Sequence, residues 1–375
     1  MRIAVPKEHT PLERRVAMTP QAIKRISQEE IRFAVESGAG AAASFTDDEY
    51  RAAGAEIVGD PRELFEGADV VLKLNPPVRR EDGIDETELI PSGALFVAQM
   101  KPHANADLLR RLAERGVTAF AMELMPRTTL AQRMDSLSAF STIAGYMAVI
   151  RGAEAGSKFF PMLTTAAGTI PPANVFIIGA GVAGLQAIAT ARRLGAVVEA
   201  FDIRPETKEQ VQSLGAQFVE WEEADAEMET EGGYAKEVTA EEQEREQQLL
   251  AEHVGKSDVV ITTAMVPGKP APMLITDDMV AGMRPGSVIV DLAAETGGNC
   301  ELTVRGETVE RHGVFILGPL DLAASLPVHG SLMYGRILAV LLDHITDAGK
   351  VVIDLDDEIT GACVITFDGN VRYQQ

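Results

Sequence analysis

The segment Gly179-Ala180-Gly181-Val182-Ala183-Gly184 constrains this chain more than any other part of it. It follows an apolar, β-branched run, Asn174–Ile178, and leads into a helical pattern reaching Leu194. A second apolar run, Val197–Phe201, then ends in Asp202. Glycines at this spacing are a weak signal alone and a strong one between a strand and a helix with an acid closing the next strand. Gly179 permits a tight turn, Gly181 lets the backbone approach a pyrophosphate, and Gly184 lets helix and strand pack closely. The helix that starts at Val182 turns its unpaired N–H groups and positive dipole end toward the phosphates. Asp202 at the strand end accepts hydrogen bonds from ribose hydroxyls and repels a 2′-phosphate, so the pattern favours NAD(H). Ile203 and Arg204 follow it, and an arginine there is compatible with a 2′-phosphate. The bland alternative is a glycine-rich turn that binds nothing.

Around this loop the chain reads as repeated strand and helix. Runs at Arg2–Val5, Arg32–Val35, Val70–Leu74, Ala94–Gln99 and Thr118–Met122 predict strands, with helices at Pro20–Gln28, Asp47–Ala53 and Ala104–Arg115 between them. Such alternation implies a mainly parallel sheet. Ser37-Gly38-Ala39-Gly40 reads as a turn. Met122–Arg133 reads as an ordered loop, leading to a long helix from Ser136 to about Lys158. Strands at Asn174–Ile178, Val197–Phe201, Gln217–Val219, Asp258–Thr262, Ser287–Leu292 and Val314–Leu317 predict a second, six-stranded sheet. Helices are expected at Pro205–Leu214, Ala240–Val254 and Leu332–Ile345. A final strand is expected at Val351–Asp354, and then a hairpin, Cys363–Tyr373, turning at Asp368-Gly369. A lone hairpin is unstable, so the tail is expected to return to the first sheet. The fold class is therefore α/β: two Rossmann-like, doubly wound parallel-sheet domains joined by long helices. The expected division is 1–135 with 325–375, and 136–324.

Seven of the twelve residues in 220–231 are carboxylates, and Gly232-Gly233-Tyr234 follows. So many like charges cannot be packed together, so 220–240 reads as a solvated loop. The whole chain carries 34 basic and 56 acidic residues, a net −22. A surface of that sign repels nucleic acid and anionic membranes and keeps the chain soluble. Two cysteines in 375 residues, Cys300 and Cys363, make no disulfide framework and suit a reducing cytosol. The apolar N-terminal run is too short for a signal peptide, and the longest apolar stretches fall below the ~20 residues that span a bilayer. No histidine or cysteine spacing suggests a metal.

Several longer segments resemble one family. They are Val5-Pro6-Lys7-Glu8, Arg15-Val16-Ala17, Met122-Glu123-Leu124-Met125-Pro126-Arg127 and Thr165-Ala166-Ala167-Gly168-Thr169 with Pro171-Pro172. Gly232-Gly233-Tyr234-Ala235-Lys236-Glu237, Pro267-Gly268-Lys269-Pro270-Ala271-Pro272 and Gly297-Gly298-Asn299-Cys300 complete the set with the glycine loop. Together they resemble, nearly end to end, the NAD(H)-binding component of proton-translocating nicotinamide nucleotide transhydrogenase. The resemblance implies hydride transfer between NADH here and NADP⁺ on a separate NADP-binding subunit, coupled to proton translocation by membrane subunits. It implies a homodimer, cytoplasmic and held at the inner face of the cell membrane through those partners, with no insertion of its own.

The same resemblance places Arg127, Gln132, Asp135 and Ser138 around the nicotinamide and its ribose. Transfer between two nicotinamides needs no acid or base, but it needs the rings held at contact distance. The bland reading is a capped helix start with a surface Arg–Asp pair. Gly233 and Tyr234 match a mobile loop that folds over the nucleotide, the alternative being a solvent-facing tyrosine on a flexible excursion. Ala264 and Met265 lie where the cofactor crosses the strand ends, unless Met265 is simply core. Gln99-Met100-Lys101-Pro102-His103 departs from the family wording, Val238-Thr239 does not follow it visibly, and Arg133 adds an unplaced charge.

Alanine dehydrogenase resembles this sequence too, and there an arginine and a lysine bind pyruvate while a histidine and an aspartate move protons. Arg15 and Lys73 stand at matching positions, but the histidine position falls at or near Gln99 and the aspartate position at Glu295. Glutamine cannot shuttle protons at neutral pH. Arg15 and Lys73 are then expected to pair with carboxylates such as Glu8 or Glu123, and His103, after Pro102, to lie at the surface. A third reading, a non-catalytic NAD-binding scaffold, would keep Gly179–Gly184 and Asp202 without needing Arg127 and Asp135.

Overall fold

The computed structural model describes residues 1–26, 30–220, 240–265 and 269–373. It divides into two compact units, Met1–Phe140 with Ala323–Gln375, and Ser141–Leu322. The chain passes first from one to the other within a twenty-residue helix, Ser136–Ala155. It returns at a 3-10 turn, Leu322–Ser325, just ahead of the helix Pro327–Ile345.

The first unit is built on an eight-stranded sheet. Its centre is Arg2–Val5, flanked on one side by Arg32–Glu36 and then Glu56–Val58, and on the other by Val70–Leu72, Leu95–Ala98 and Thr118–Ala121. These six strands are parallel. The hairpin Val364–Phe367 and Asn370–Val371 extends the sheet antiparallel beside Thr118–Ala121. Its turn uses Asp368 and Gly369, both at positive φ, as the Asp-Gly pair requires. The central strands are buried on both faces, which is why they read as continuous apolar runs. Short helices are fixed by their caps. Thr46 and Glu49 form a capping box on Asp47–Ala52, and Asp60 caps Pro61–Phe65 with proline at its first turn. The helix Pro327–Ile345 packs tightly on the same unit, where Ser331 Oγ accepts the Val16 N–H at 2.9 Å and Tyr334 Oη donates to the Lys73 carbonyl at 2.9 Å.

The second unit repeats the strand order. Asn174–Ile178 is central, with Val197–Phe201 and Gln217–Phe218 on one side and Val259–Thr262, Val288–Asp291 and Val314–Leu317 on the other. The parallel ladder is closed at one edge by an antiparallel strand, Thr308–Arg311. Both units are thus doubly wound parallel sheets, as expected, and in each the order reverses beside the first strand. In open sheets of this kind, ligands bind outside the carboxyl ends of the strands at that reversal.

Among the elements that escaped the sequence are four short helices, Pro61–Phe65, Glu86–Leu89, Asp277–Ala281 and Glu358–Cys363, and several strands. Glu56–Val58 and Thr308–Arg311 are short edge strands, and Leu163–Thr165 pairs with Gly168–Ile170 in a separate, exposed ribbon. The expected strand at Val351–Asp354 is instead a two-residue pairing of Lys350–Val351 with Thr346–Asp347. Among the described residues no helix is long and apolar enough to cross a membrane.

Candidate functional site

The glycine loop stands at the reversal point of the second unit. Gly179 has φ +99°, and its N–H donates to the Phe201 carbonyl at 2.8 Å. A Cβ on Gly179 would come within 2.5 Å of Thr263 Oγ1, and one on Gly184 within 1.8 Å of the Gly179 carbonyl oxygen. Two of the three glycines are therefore demanded by the protein itself. Gly181 differs: it has an ordinary extended backbone, and beyond its two chain neighbours no protein atom lies within 4 Å of where its Cβ would stand. That clear space beside a helix start is a cradle of the kind a pyrophosphate fits. The first intrahelical bond of Val182–Arg193 runs from the Leu185 N–H to the Gly181 carbonyl at 2.8 Å. The N–H groups of Val182, Ala183 and Gly184 precede it and point out of the helix end, where an anion is favoured.

Asp202 is buried at the end of its strand. Its Oδ2 accepts the Ala180 N–H at 2.7 Å and Arg204 Nη2 at 2.9 Å; its Oδ1 accepts the Arg204 N–H and Nε, each at 2.9 Å. A carboxylate has about four acceptor positions, and these bonds use them. Arg204 thus forks onto Asp202, and a ribose reaches that carboxylate only as the guanidinium gives way. Ile203 is half-buried against the core of the unit. Ala264 is half-buried, and Met265 is 43% exposed. The core reading of Met265 is thereby excluded. Gly233 and Tyr234, with 221–239 as a whole, lie outside the described residues.

Glu246 lies outside the residues expected from the sequence. It sits on the inward stripe 246, 250, 254 of the helix Ala240–Lys256, with Leu250 and Val254 buried in the core. A glutamate at such a position is itself the signal that could have found it. Burial, and after it the charge of Asp202, pushes its carboxyl up to about 7.

In the first unit, Arg127 is exposed after Pro126, and Gln132 is exposed on the 3-10 turn Ala131–Met134. Asp135 ends that turn and faces Ser138, accepting its N–H at 2.9 Å and bonding its Oγ as well. A short acid accepting from the third residue of a helix is an N-cap pattern, so the capped helix start is present. Arg133 is exposed, as is His103.

The reversal point of this unit holds a buried charge cluster. Lys73 Nζ meets Glu86 Oε2 at 2.6 Å and Glu8 Oε2 at 3.7 Å, with all three side chains buried. Glu8 Oε1 accepts the Leu74 N–H at 2.6 Å. Burial pushes the Glu8 carboxyl up to about 7 in spite of Lys73. Arg15 forks onto Glu13, Nε to Oε1 at 2.7 Å and Nη2 to Oε2 at 2.6 Å, and lies over the Phe140 ring at 4.4 Å. Burial alone would raise the Glu13 carboxyl, yet the Arg15 fork holds it below its ordinary value. The expected Lys73–Glu8 pairing is present, with Glu86 the nearer partner. Arg15 takes Glu13 rather than Glu8 or Glu123, because Glu13 stands two residues away, whereas Glu123 accepts the Met100 and Lys101 N–H groups.

Residues 4–144 match the alanine dehydrogenase/PNT N-terminal domain, and residues 148–374 match the alanine dehydrogenase/PNT C-terminal domain. The chain belongs to the alanine dehydrogenase/PNT family. Within it, the chain is 46% identical over 374 residues to the first portion of the NAD(P) transhydrogenase alpha subunit of Rhodospirillum rubrum, covering 99% of this chain and 97% of that one. Among solved structures it is similar to the transhydrogenase from Sinorhizobium meliloti, with a TM-score of 0.88 and 42% identity over 99% of this chain and all of that one. An L-alanine dehydrogenase follows with a TM-score of 0.81 and 25% identity, over 100% of this chain and 97% of that one. Both family branches are thus alike in fold, and the residues at the strand ends must separate them. Gln99 Nε2 lies 3.4 Å from Ser136 Oγ, and exposed Glu295 accepts the Asp321 N–H at 3.0 Å. Among the described residues no group of three acidic, histidine or cysteine side chains could hold a metal.

Proposed function

We propose that this chain is the NAD(H)-binding component of an NAD(P) transhydrogenase. The 46% identity with the Rhodospirillum subunit over 99% of this chain carries this reading, and the clear space at Gly181 and the helix start at Val182 support it. Gly179, Gly181, Val182 and Gly184 hold the pyrophosphate. Asp202, Ile203 and Arg204 hold the adenosine ribose, with Asp202 released from Arg204 as the ribose hydroxyls arrive. Ala264 and Met265 line the strand ends, and Gly233 and Tyr234 cover the nucleotide.

Arg127, Gln132, Asp135 and Ser138 grip the nicotinamide end. When bound, NADH supplies a hydride to NADP⁺ carried by a partner subunit. This chain's residues take no proton in that step; they fix the ring's rotation and distance, which is where such a transfer gains its rate. Asp135 holds Ser138, so that the two present one shaped polar surface. The chain works as a homodimer, with membrane subunits coupling the transfer to proton translocation, and lies at the cytoplasmic face of the membrane through them.

The alanine dehydrogenase reading lacks its proton carrier, because Gln99 stands where that activity needs a base. Purified chain with alanine and NAD⁺ should give no steady NADH; sustained NADH production would replace the transhydrogenase reading. Asp135→Asn, reconstituted with the NADP-binding partner, should keep NADH binding and lose at least about tenfold in reduction of an NADP analogue, the scale of a displaced reacting group. Unchanged reduction would leave the scaffold reading standing.

A further inference from the structure

We propose that Asn299 is a positioning residue for the dinucleotide, clamping the strand-end residue Ala264 so that Met265 is presented to the bound nucleotide. The inference rests on the reading of the second unit as the NAD(H) site.

The ladder between Val259–Thr262 and Val288–Asp291 ends with the Leu292 N–H bonded to the Thr262 carbonyl at 3.0 Å. Beyond this point Ala264 has lost its strand neighbour on that side. Asn299 takes the neighbour's place. Its Oδ1 accepts the Ala264 N–H at 3.2 Å, and its Nδ2 donates to the Ala264 carbonyl at 2.8 Å. One side chain thus pairs both polar groups of one backbone residue, as a strand partner does. The second Nδ2 proton goes to the Pro272 carbonyl at 2.8 Å, so both donors of the amide are used.

The clamp is itself held on every side. Asn299 is fully buried. Its N–H donates to Asp291 Oδ2 at 2.8 Å, and its carbonyl accepts the Leu274 and Ile275 N–H groups, each at 2.9 Å. Asp291, also fully buried, accepts in addition from Thr262 Oγ1, the Ala293 and Cys300 N–H groups and Thr303 Oγ1. Gly298 adopts φ +86°, and a Cβ there would stand 2.8 Å from Asp291 Oδ2. The Gly-Gly-Asn-Cys segment is therefore built around Asp291 so that one amide is aimed at Ala264.

What it aims is the wall of the cofactor crevice. Thr263, next to Ala264, donates from Oγ1 to the Gly179 carbonyl at 3.1 Å, so this strand end and the glycine loop are in direct contact. Both polar groups of Ala264 are taken by Asn299, which leaves the exposed Met265 side chain as the group offered outward. A thioether suits the apolar ring face of a nucleotide base or nicotinamide. Holding it in one place removes an ordering cost from binding.

Asn299→Asp keeps the shape and replaces the donors by an oxygen facing two carbonyls. NADH titration of the folded variant, with folding checked by circular dichroism, should give a Kd at least about tenfold above wild type. In the reconstituted enzyme the NADH KM should rise in step while kcat at saturation stays within about threefold, the pattern of lost binding rather than lost chemistry. A variant with a lowered melting temperature and a wild-type Kd makes Asn299 merely structural and overturns the proposal. Should Asn299→Asp not fold, Asn299→Ser, too short to span both polar groups of Ala264, takes its place: a Kd raised several-fold with kcat near wild type supports the clamp, and an unchanged Kd sinks it. Failure of the wild-type chain to bind NADH would instead refute the NAD(H) reading beneath it.

Discussion

At the strand-order reversal of the first unit, Lys73, Glu86 and Glu8 lie buried against one another, and Arg15 grips Glu13. At the same place in the second unit, no residue beyond Gly181's chain neighbours comes within 4 Å of where its side chain would begin. The strand order is the same in both, yet one crevice is filled by the chain's own charges, while the other keeps open space beside a helix start and carries its charged fork, Asp202 with Arg204, at the end of the next strand. Filling a crevice with paired charges satisfies its buried groups and leaves little for a ligand to gain. Lining it with glycine and a helix start leaves donors and a positive dipole end that favour an anion. The fold thus supplies two equivalent crevices, and side chains decide which of them stays open.

The largest effect should come from breaking the filled crevice. Lys73→Met leaves Glu86 buried without its cation, and the loss of one partner of such a pair costs about 3–5 kcal/mol. Chemical denaturation should show that drop, while NADH binding by the second unit stays near wild type at temperatures where the variant is folded. An equal collapse of NADH affinity would mean that the crevices are not independent.

The open crevice should split its glycines into two kinds. Gly184→Ala drives a Cβ into the Gly179 carbonyl, so both folding stability and NADH affinity should fall, the former by about 1–3 kcal/mol of overpacking. Gly181→Ala meets no protein atom, so it should melt like wild type and still lose at least about tenfold in NADH affinity, because only the pyrophosphate needs that approach. Equal losses of stability in the two variants would remove the distinction.

Much of this is legible in the sequence. Long apolar runs mark the central strands, and the glycine spacing with Asp202 marks the second crevice. What escapes is either short or long-range. Glu56–Val58 and Thr308–Arg311 carry too few residues, with charges among them, for alternation to register. The Lys73–Glu86 pair joins positions that no periodicity links. Asp202 and Arg204 read in sequence as rivals over one phosphate, which hides their fork, although opposite charges two residues apart can satisfy each other. Glu246 carries no motif of its own, and the Gly-Gly-Asn-Cys segment marks Asn299 without showing what it holds; both roles come from burial.

A smaller effect should mark both crevices alike. Glu8 and Glu246 each bind a proton more tightly in the folded chain, with carboxyls at about 7 against an ordinary 4.5. Their contribution is complete below about pH 4.5 and is lost as pH rises through about 7. The stability of wild type relative to Glu8→Gln, or to Glu246→Gln, should therefore fall between pH 5 and pH 8, by up to about 3 kcal/mol for a shift of this size. A difference that rises with pH would reverse the assignment of those protons. The smallest effect belongs to the surface: Asp48→Ala, which removes an exposed pair with Arg51, should change stability by less than about 1 kcal/mol and leave NADH binding alone.

The central claim is that the second unit, through an open glycine crevice closed by an acid, binds NAD(H) in preference to NADP(H). Titration of the purified wild-type chain with NADH and with NADPH, followed by nucleotide fluorescence, tests it most directly. Saturable NADH binding with NADPH at least about tenfold weaker is the predicted result, since Asp202 repels a 2′-phosphate. Equal affinity for the two, or no NADH binding at all, would contradict it.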